Sequence, residues 1–144
     1  MRKTAIITGA GSGLGQAAAI RLAKEGINIA AVDINEKGGH ETVETAKQNG
    51  VDALFIKADV SNPEDVKSYV EQTIEHFGSI DYFFNNAGIS GSGSYFLDSK
   101  IEEIQQIVNI NLMGALYGVR YVAEAMLKNG GGSIVNTASS AGVI

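Results

Sequence analysis

The stretch Thr8-Gly9-Ala10-Gly11-Ser12-Gly13-Leu14-Gly15 follows an apolar run, Ala5-Ile6-Ile7. It precedes Gln16-Ala17-Ala18-Ala19-Ile20-Arg21-Leu22-Ala23-Lys24-Glu25, which ends at Gly26. The first run reads as a buried strand and the second as a helix, so a glycine-rich turn joins a strand end to a helix start. Glycine lacks a Cβ, so such a turn takes positive φ and lets a ligand come close to the main chain. The helix start adds unpaired N–H groups and a partial positive charge, which together favour a phosphate. The stretch therefore reads as a cradle for the pyrophosphate of a dinucleotide. The plainer alternative is a tight strand–helix turn that holds nothing, and the motifs farther along the chain weigh against it.

Taken in order, strands and helices alternate. Residues 3–8 form the first strand and roughly 13–25 the first helix, with Leu14, Ala18 and Leu22 as its apolar face. Residues 27–33 are a second strand, apolar on both parities from Ile29, as suits a parallel strand covered on both sides. Residues 36–49 form a polar helix with a thin face of Val43 and Ala46, and residues 51–58 a third strand. Ser61-Asn62-Pro63-Glu64 starts the next helix, whose buried face is Val66, Val70, Ile74 and Phe77. A fourth strand covers residues 80–85, and the Gly88–Gly93 segment is a loop. Ser99-Lys100-Ile101-Glu102 reads as a capping box that opens a long helix to about Lys128, with Ile104, Val108, Leu112, Ala115, Val119 and Met126 among its apolar positions. Residues 133–138 are a fifth strand. This alternation predicts one α/β domain over 1–144, a doubly wound parallel sheet with right-handed crossovers.

The composition, 44% hydrophobic, is enough for a core, and a net charge of -5 argues against a nucleic-acid or anionic-membrane surface. With no cysteine there is neither a disulfide framework nor thiolate chemistry. The N-terminal apolar stretch breaks at Gly9, too soon for a signal peptide or a membrane span, so no targeting segment is read and a cytoplasmic setting is expected. His40 and His76 lie on helical stretches without ligand spacing or a paired carboxylate, and no metal site is read.

In a doubly wound sheet, the carboxylate at the end of the second strand is placed to accept hydrogen bonds from a ribose and to repel the extra phosphate of NADP. Asp33 holds that place, and Ser12, Ile34 and Asn35 bring no cation near it; Lys37 is the nearest base. NAD is therefore favoured over NADP. As a plainer role, Asp33 would serve only as a strand-end or capping residue. Asn111 falls within an apolar pattern, where an amide is costly unless its groups are satisfied. Ser139 and Ser140 follow the fifth strand, at the carboxyl edge where open α/β sheets bind ligands.

The turn does not match the common G-x-G-x-x-G fingerprint. Its Gly9-xxx-Gly13-x-Gly15 spacing, led by threonine, resembles the short-chain dehydrogenase/reductase family. Asp59-Val60, Asn85-Asn86-Ala87-Gly88, Asn109-Ile110-Asn111-Leu112-Met113-Gly114 and the Gly132–Gly142 segment resemble that family's further motifs, in its order and over essentially the whole chain. The resemblance implies a Rossmann-like sheet, incomplete here at its C-terminal side. It implies cofactor contacts at Gly9, Ser12, Gly13, Leu14, Gly15, Asp33, Asp59, Val60, Asn86, Ala87 and Gly88, with Asp59 and Val60 at the adenine. It implies that Asn111 holds a water in a proton relay through its main-chain carbonyl, and that the Ser139 hydroxyl polarises the substrate oxygen; Ser140 takes that place if the register slips. The activity implied is hydride transfer between a nicotinamide and a secondary alcohol or ketone. Partners implied are the small-molecule substrate and, in a full-length form, further copies of the chain.

One family motif is missing. None of Tyr69, Tyr82, Tyr95, Tyr117 and Tyr121 is followed by lysine four residues later. In the family that tyrosine is the general acid/base, and the lysine lowers its pKa. A free phenol, with a pKa of about 10, is a poor base at neutral pH. The expectation is an N-terminal portion of a longer enzyme, inactive alone. The alternatives are a dinucleotide-binding module without catalysis and, more remotely, a structural flavodoxin-like domain.

Overall fold

A computed structural model of the chain describes residues 2–140. Ala141 and Gly142, the last residues of the motif around Ser139, lie outside the described residues. The order is β1 (Thr4–Thr8), α1 (Gly13–Lys24), β2 (Asn28–Asp33), α2 (Glu36–Lys47), β3 (Ala53–Lys57), α3 (Pro63–Phe77) and β4 (Tyr82–Asn85). A short 3-10 turn (Phe96–Asp98) then leads to α4 (Ile101–Ile107), a π-helical stretch (Val108–Met113), α5 (Gly114–Lys128) and β5 (Ser133–Asn136). The strands form one parallel sheet in the order β3-β2-β1-β4-β5. The order reverses between β1 and β4, so a crevice opens there at the carboxyl ends of the strands. This is the expected Rossmann-like, doubly wound sheet, with β5 at its edge.

Alternation along the strands divides the core in two. Ile6, Ala30, Val32, Ile56 and Phe83 face α3 and α5, packing against Val66, Tyr69, Val70, Val122 and Met126. Ala5, Ile7, Ile29, Ala31 and Ala53 face α1 and α2, packing against Ala19, Ala23, Val43 and Ala46. The first side is built of bulky and aromatic groups, the second mostly of alanine. Small residues let α1 and α2 lie close to the sheet. A Cβ on Gly39 would fall 2.0 Å from the Phe55 ring.

Three sequence readings change. The fully buried residues of α1 are Gly15, Ala19 and Ala23, one position on from the expected face, of which Leu22 still packs against the core while Leu14 is 71% exposed. Close approach to the sheet selects the smaller stripe. The capping box at Ser99 does not form: Lys100 is the N-cap, and the Ser99 hydroxyl donates to the Tyr95 carbonyl instead. Val108 and Leu112 are exposed, and the long helix buries Gly114, Gly118, Val122, Ala125 and Met126. Neither α4 nor the π-helical stretch buries a residue, and the π-helical stretch shifts the phase of the apolar pattern before α5, where burial begins at Gly114.

Tyr69 is fully buried beside Phe83, and its hydroxyl has no hydrogen-bond partner among the described residues. Burial pushes the phenol well above its ordinary pKa. An unpaired buried hydroxyl is unfavourable, so Tyr69→Phe is expected to stabilise the fold by about 1 kcal/mol. A raised urea midpoint at unchanged m-value checks this, and a lowered midpoint would refute it.

Candidate functional site: a cleft at the switch point

Of the four glycines of the turn, Gly9 and Gly13 serve one end and Gly15 another. Gly9 and Gly13 have φ of 68° and 52°, the left-handed region that favours glycine. Gly15 sits where a Cβ would fall 2.0 Å from the Gly9 carbonyl oxygen, so the helix start presses on the turn. Ser12, in extended conformation, precedes α1 but makes no side-chain cap. By contrast, the Asn35 side chain accepts from the Gly38 N–H to cap α2, and that of Asn62 accepts from the Glu64 N–H to cap α3. The start of α1 is therefore left to a ligand or solvent, in a position suited to an anion.

In front of this helix start lies a cleft of about 520 Å³. All the cofactor residues expected from the sequence line it except Gly15, which lies beneath the turn. Val32, Ile34, Ala58, Ile89, Gln106 and Ile110 line it as well and were not singled out. Val32, Ile34 and Ala58 adjoin expected positions at the ends of β2 and β3, a usable signal. Gln106 and Ile110 come from across the cleft, and nothing in the local sequence marks them.

Asp33 is already engaged. Its Oδ2 accepts from the Gly11 N–H at 2.8 Å and its Oδ1 from the Asn35 N–H at 2.8 Å. The carboxylate thus ties the turn to the end of β2 while lining the cleft. Asp59 Oδ1 accepts from the N–H and hydroxyl of Ser61, and the Asp59 N–H donates to Asp65 Oδ2 at 2.9 Å. It too is both a turn residue and a cleft residue.

The switch point is held by Thr8. Its fully buried hydroxyl oxygen accepts from the N–H groups of Asn86 at 2.9 Å and Ala87 at 3.0 Å. The Asn86 amide donates to the Thr8 carbonyl at 3.2 Å and accepts from the Thr137 hydroxyl at 2.9 Å. Asn85, also buried, donates to the Ala115 carbonyl and to Asn136 Oδ1, both at 2.9 Å. The paired asparagines therefore brace β1, β4, β5 and α5 together. Asn136, opposite Asn85 in the register, was not singled out from the sequence.

Asn111 lies within the π-helical stretch and is exposed rather than on a buried face. Its amide is nonetheless satisfied: Oδ1 accepts from the Ile89 N–H and Nδ2 donates to the Ile89 carbonyl, both at 2.8 Å. It clamps the loop after Gly88, and a Cβ on Gly88 would come within 3.2 Å of its oxygen. Ser139 lies beyond β5 at the same carboxyl edge, exposed, and is not among the residues lining the cleft. Ser140 follows it.

His40 packs on the Phe55 ring at 4.7 Å. His76 does have a carboxylate partner, contrary to the sequence reading: its Nε2 lies 2.8 Å from Asp52 Oδ2, a residue distant in sequence and brought near by the crossover. This exposed pair sits at the opposite edge of the sheet from the cleft. Among the described residues no group of three His, Cys, Asp or Glu is placed to hold a metal ion, and no helix is long and apolar enough to cross a membrane.

Thr8→Val would leave the Asn86 and Ala87 N–H groups without their acceptor. A loss of about 2–3 kcal/mol in chemical denaturation is expected, and a loss below about 0.5 kcal/mol would refute the bracing role. Gly15→Ala drives a methyl into main chain and is expected to disorder the turn, seen as lost amide-exchange protection at Ala10 and Gly11.

The model of the short chain dehydrogenase family matches residues 3–144. The chain is 40% identical to a cyclohexanol dehydrogenase of Acinetobacter sp. (strain SE19) over 142 residues, covering 99% of this chain and 57% of that protein. It is 41% identical to a levodione reductase of Leifsonia aquatica over 143 residues, covering 98% of this chain and 54% of that protein. Among solved structures, a levodione reductase superposes with a TM-score of 0.94 at 40% identity, covering 99% of this chain and 56% of that one. An NAD+-bound xylitol dehydrogenase superposes with a TM-score of 0.94 at 37% identity, covering 98% and 54%. The chain thus spans little more than half the length of these relatives. With the glycine turn, the paired asparagines and the strand order all in agreement with this match, the chain belongs to the short-chain dehydrogenase family.

Proposed function

We propose that the chain is the dinucleotide-binding portion of an NAD-dependent oxidoreductase acting on a secondary alcohol or ketone. The observation that carries this reading is the uncapped start of α1 facing one cleft with Asp33 and Asp59. The residues fit the cofactor. Gly9, Ser12, Gly13 and Leu14 offer main chain and a helix start to the pyrophosphate, with Gly15 beneath them setting the close turn. Asp33 takes the adenosine ribose hydroxyls, and its charge disfavours a phosphate in their place. Asp59 and Val60 meet the adenine, and Asn86, Ala87 and Gly88 border the nicotinamide side.

The nicotinamide supplies the hydride chemistry. Asn111 and Ser139 supply part of the protein's share: the Ser139 hydroxyl donates a hydrogen bond to the substrate oxygen, and the Asn111 main-chain carbonyl orients a water for proton transfer. The family's tyrosine–lysine pair is not found within these 144 residues. That observation favours a second reading of the chain taken alone, a dinucleotide-binding module without turnover. The NAD+-bound xylitol dehydrogenase and a carveol dehydrogenase solved in complex with NAD support the choice of cofactor by likeness. In a longer form, self-association is part of the same proposal.

Calorimetric titration tests this. NAD+ is expected to bind at least about tenfold more tightly than NADP+, and Asp33→Ser to abolish the difference. Absence of binding by either dinucleotide would sink the reading. In an assay with NAD+ and a panel of secondary alcohols, the 144-residue chain is expected to show no turnover, and turnover would exclude the non-catalytic module.

A further inference from the structure

The phosphate turn has two sides. Gly9, Ser12, Gly13 and Leu14 line the cleft, whereas Ala10 and Gly11 are buried and face α2. The Ala10 N–H donates to the Val32 carbonyl at 3.1 Å. The Gly11 carbonyl packs so close to α2 that a Cβ on Gly38 would lie 2.2 Å from its oxygen. Between turn and helix stands Thr42, fully buried. Its hydroxyl hydrogen faces two acceptors, the Ala10 carbonyl at 2.8 Å and the Gly38 carbonyl at 2.9 Å. Its oxygen accepts from Gln16 Nε2, on α1, at 3.0 Å. One hydroxyl therefore joins the turn, the helix after it and the neighbouring helix. A threonine on a helix ordinarily satisfies itself on the carbonyl four residues back. Thr45 on the same helix does this, donating to the Glu41 carbonyl at 2.8 Å on the exposed side. Burial of Thr42 against Ala10 adds a partner that helix formation alone does not require.

We propose that Thr42 is a positioning residue for the dinucleotide phosphate, holding the Ala10 carbonyl toward α2 so that the cleft side of the turn stays open to the ligand. The proposal rests on the dinucleotide reading above. Thr42→Val keeps the shape and removes the hydroxyl, and Thr42→Ser keeps the hydroxyl and removes the methyl. Thr45→Val removes a helix hydroxyl on the exposed side. Two measurements are made on each variant and on the parent: NAD+ affinity by calorimetry, and amide exchange at Ala10 and Gly11, the hydrogen-bonded amides of the turn, in the unliganded chain by NMR. Thr42→Val is expected to weaken NAD+ binding about tenfold and to speed exchange at the turn by a similar factor. Thr42→Ser and Thr45→Val are expected to match the parent in both. If Thr42→Val does not fold, Gln16→Leu, which removes the donor that orients the hydroxyl, carries the same expectation in smaller measure. The proposal is overturned if the hydroxyl-deleting variant matches the parent, or if Thr42→Ser is as impaired as Thr42→Val. Should the parent bind no NAD+, the dinucleotide reading fails on its own, and exchange at the unliganded turn still decides the role of Thr42.

Discussion

The hydroxyl of Thr8 is the bond on which the cleft depends. At the switch point the ladder between β1 and β4 ends, and the two N–H groups that follow β4 need an acceptor. A side chain from β1 supplies it from a fully buried position, where an unpaired amide is expensive. This fixes the spacing of the two strand ends and hence the width of the crevice between the glycine turn and the Asn86–Gly88 segment. Asn86 then reaches both back to Thr8 and forward to Thr137, so the segment beyond β5 is held in the same frame.

The same economy recurs at Asp33. Its two oxygens each hold a main-chain N–H, one from the glycine turn and one from the start of α2. The carboxylate that lines the cleft also anchors the turn beside it. Cleft-lining and structural positions converge on single side chains because the crevice is walled by turns, whose main-chain groups must be satisfied locally.

The alternation of strands and helices, the parallel sheet and the glycine turn were legible because each rests on local signals: period, breakers and turn residues. Errors arose where tertiary packing chose between local options. Leu14 looked like the first residue of the α1 face, yet close seating of that helix selects Gly15, Ala19 and Ala23. The apolar pattern through Val108 and Leu112 was real, but neither α4 nor the π-helical stretch buries a residue, and the helix reaches the core only in α5. At the site, the strand-end residues could be read from position in the sheet. Gln106, Ile110, Asn136 and Thr42 could not, because their partners lie across a cleft, across a strand pair or on another helix. The His76–Asp52 pair escaped for the same reason.

The unequal halves of the core have a consequence for how such a chain can change over time. On the α1 and α2 side Ile7, Ile29 and Val43 are set among alanines, and at Gly15, Gly38 and Gly39 main chain or the Phe55 ring already fills the place of an added methyl. On the α3 and α5 side they are between large groups that can exchange volume with one another. Drift in sequence is therefore absorbed on one side of the sheet and resisted on the other. The resistant side is the one that shapes the glycine turn.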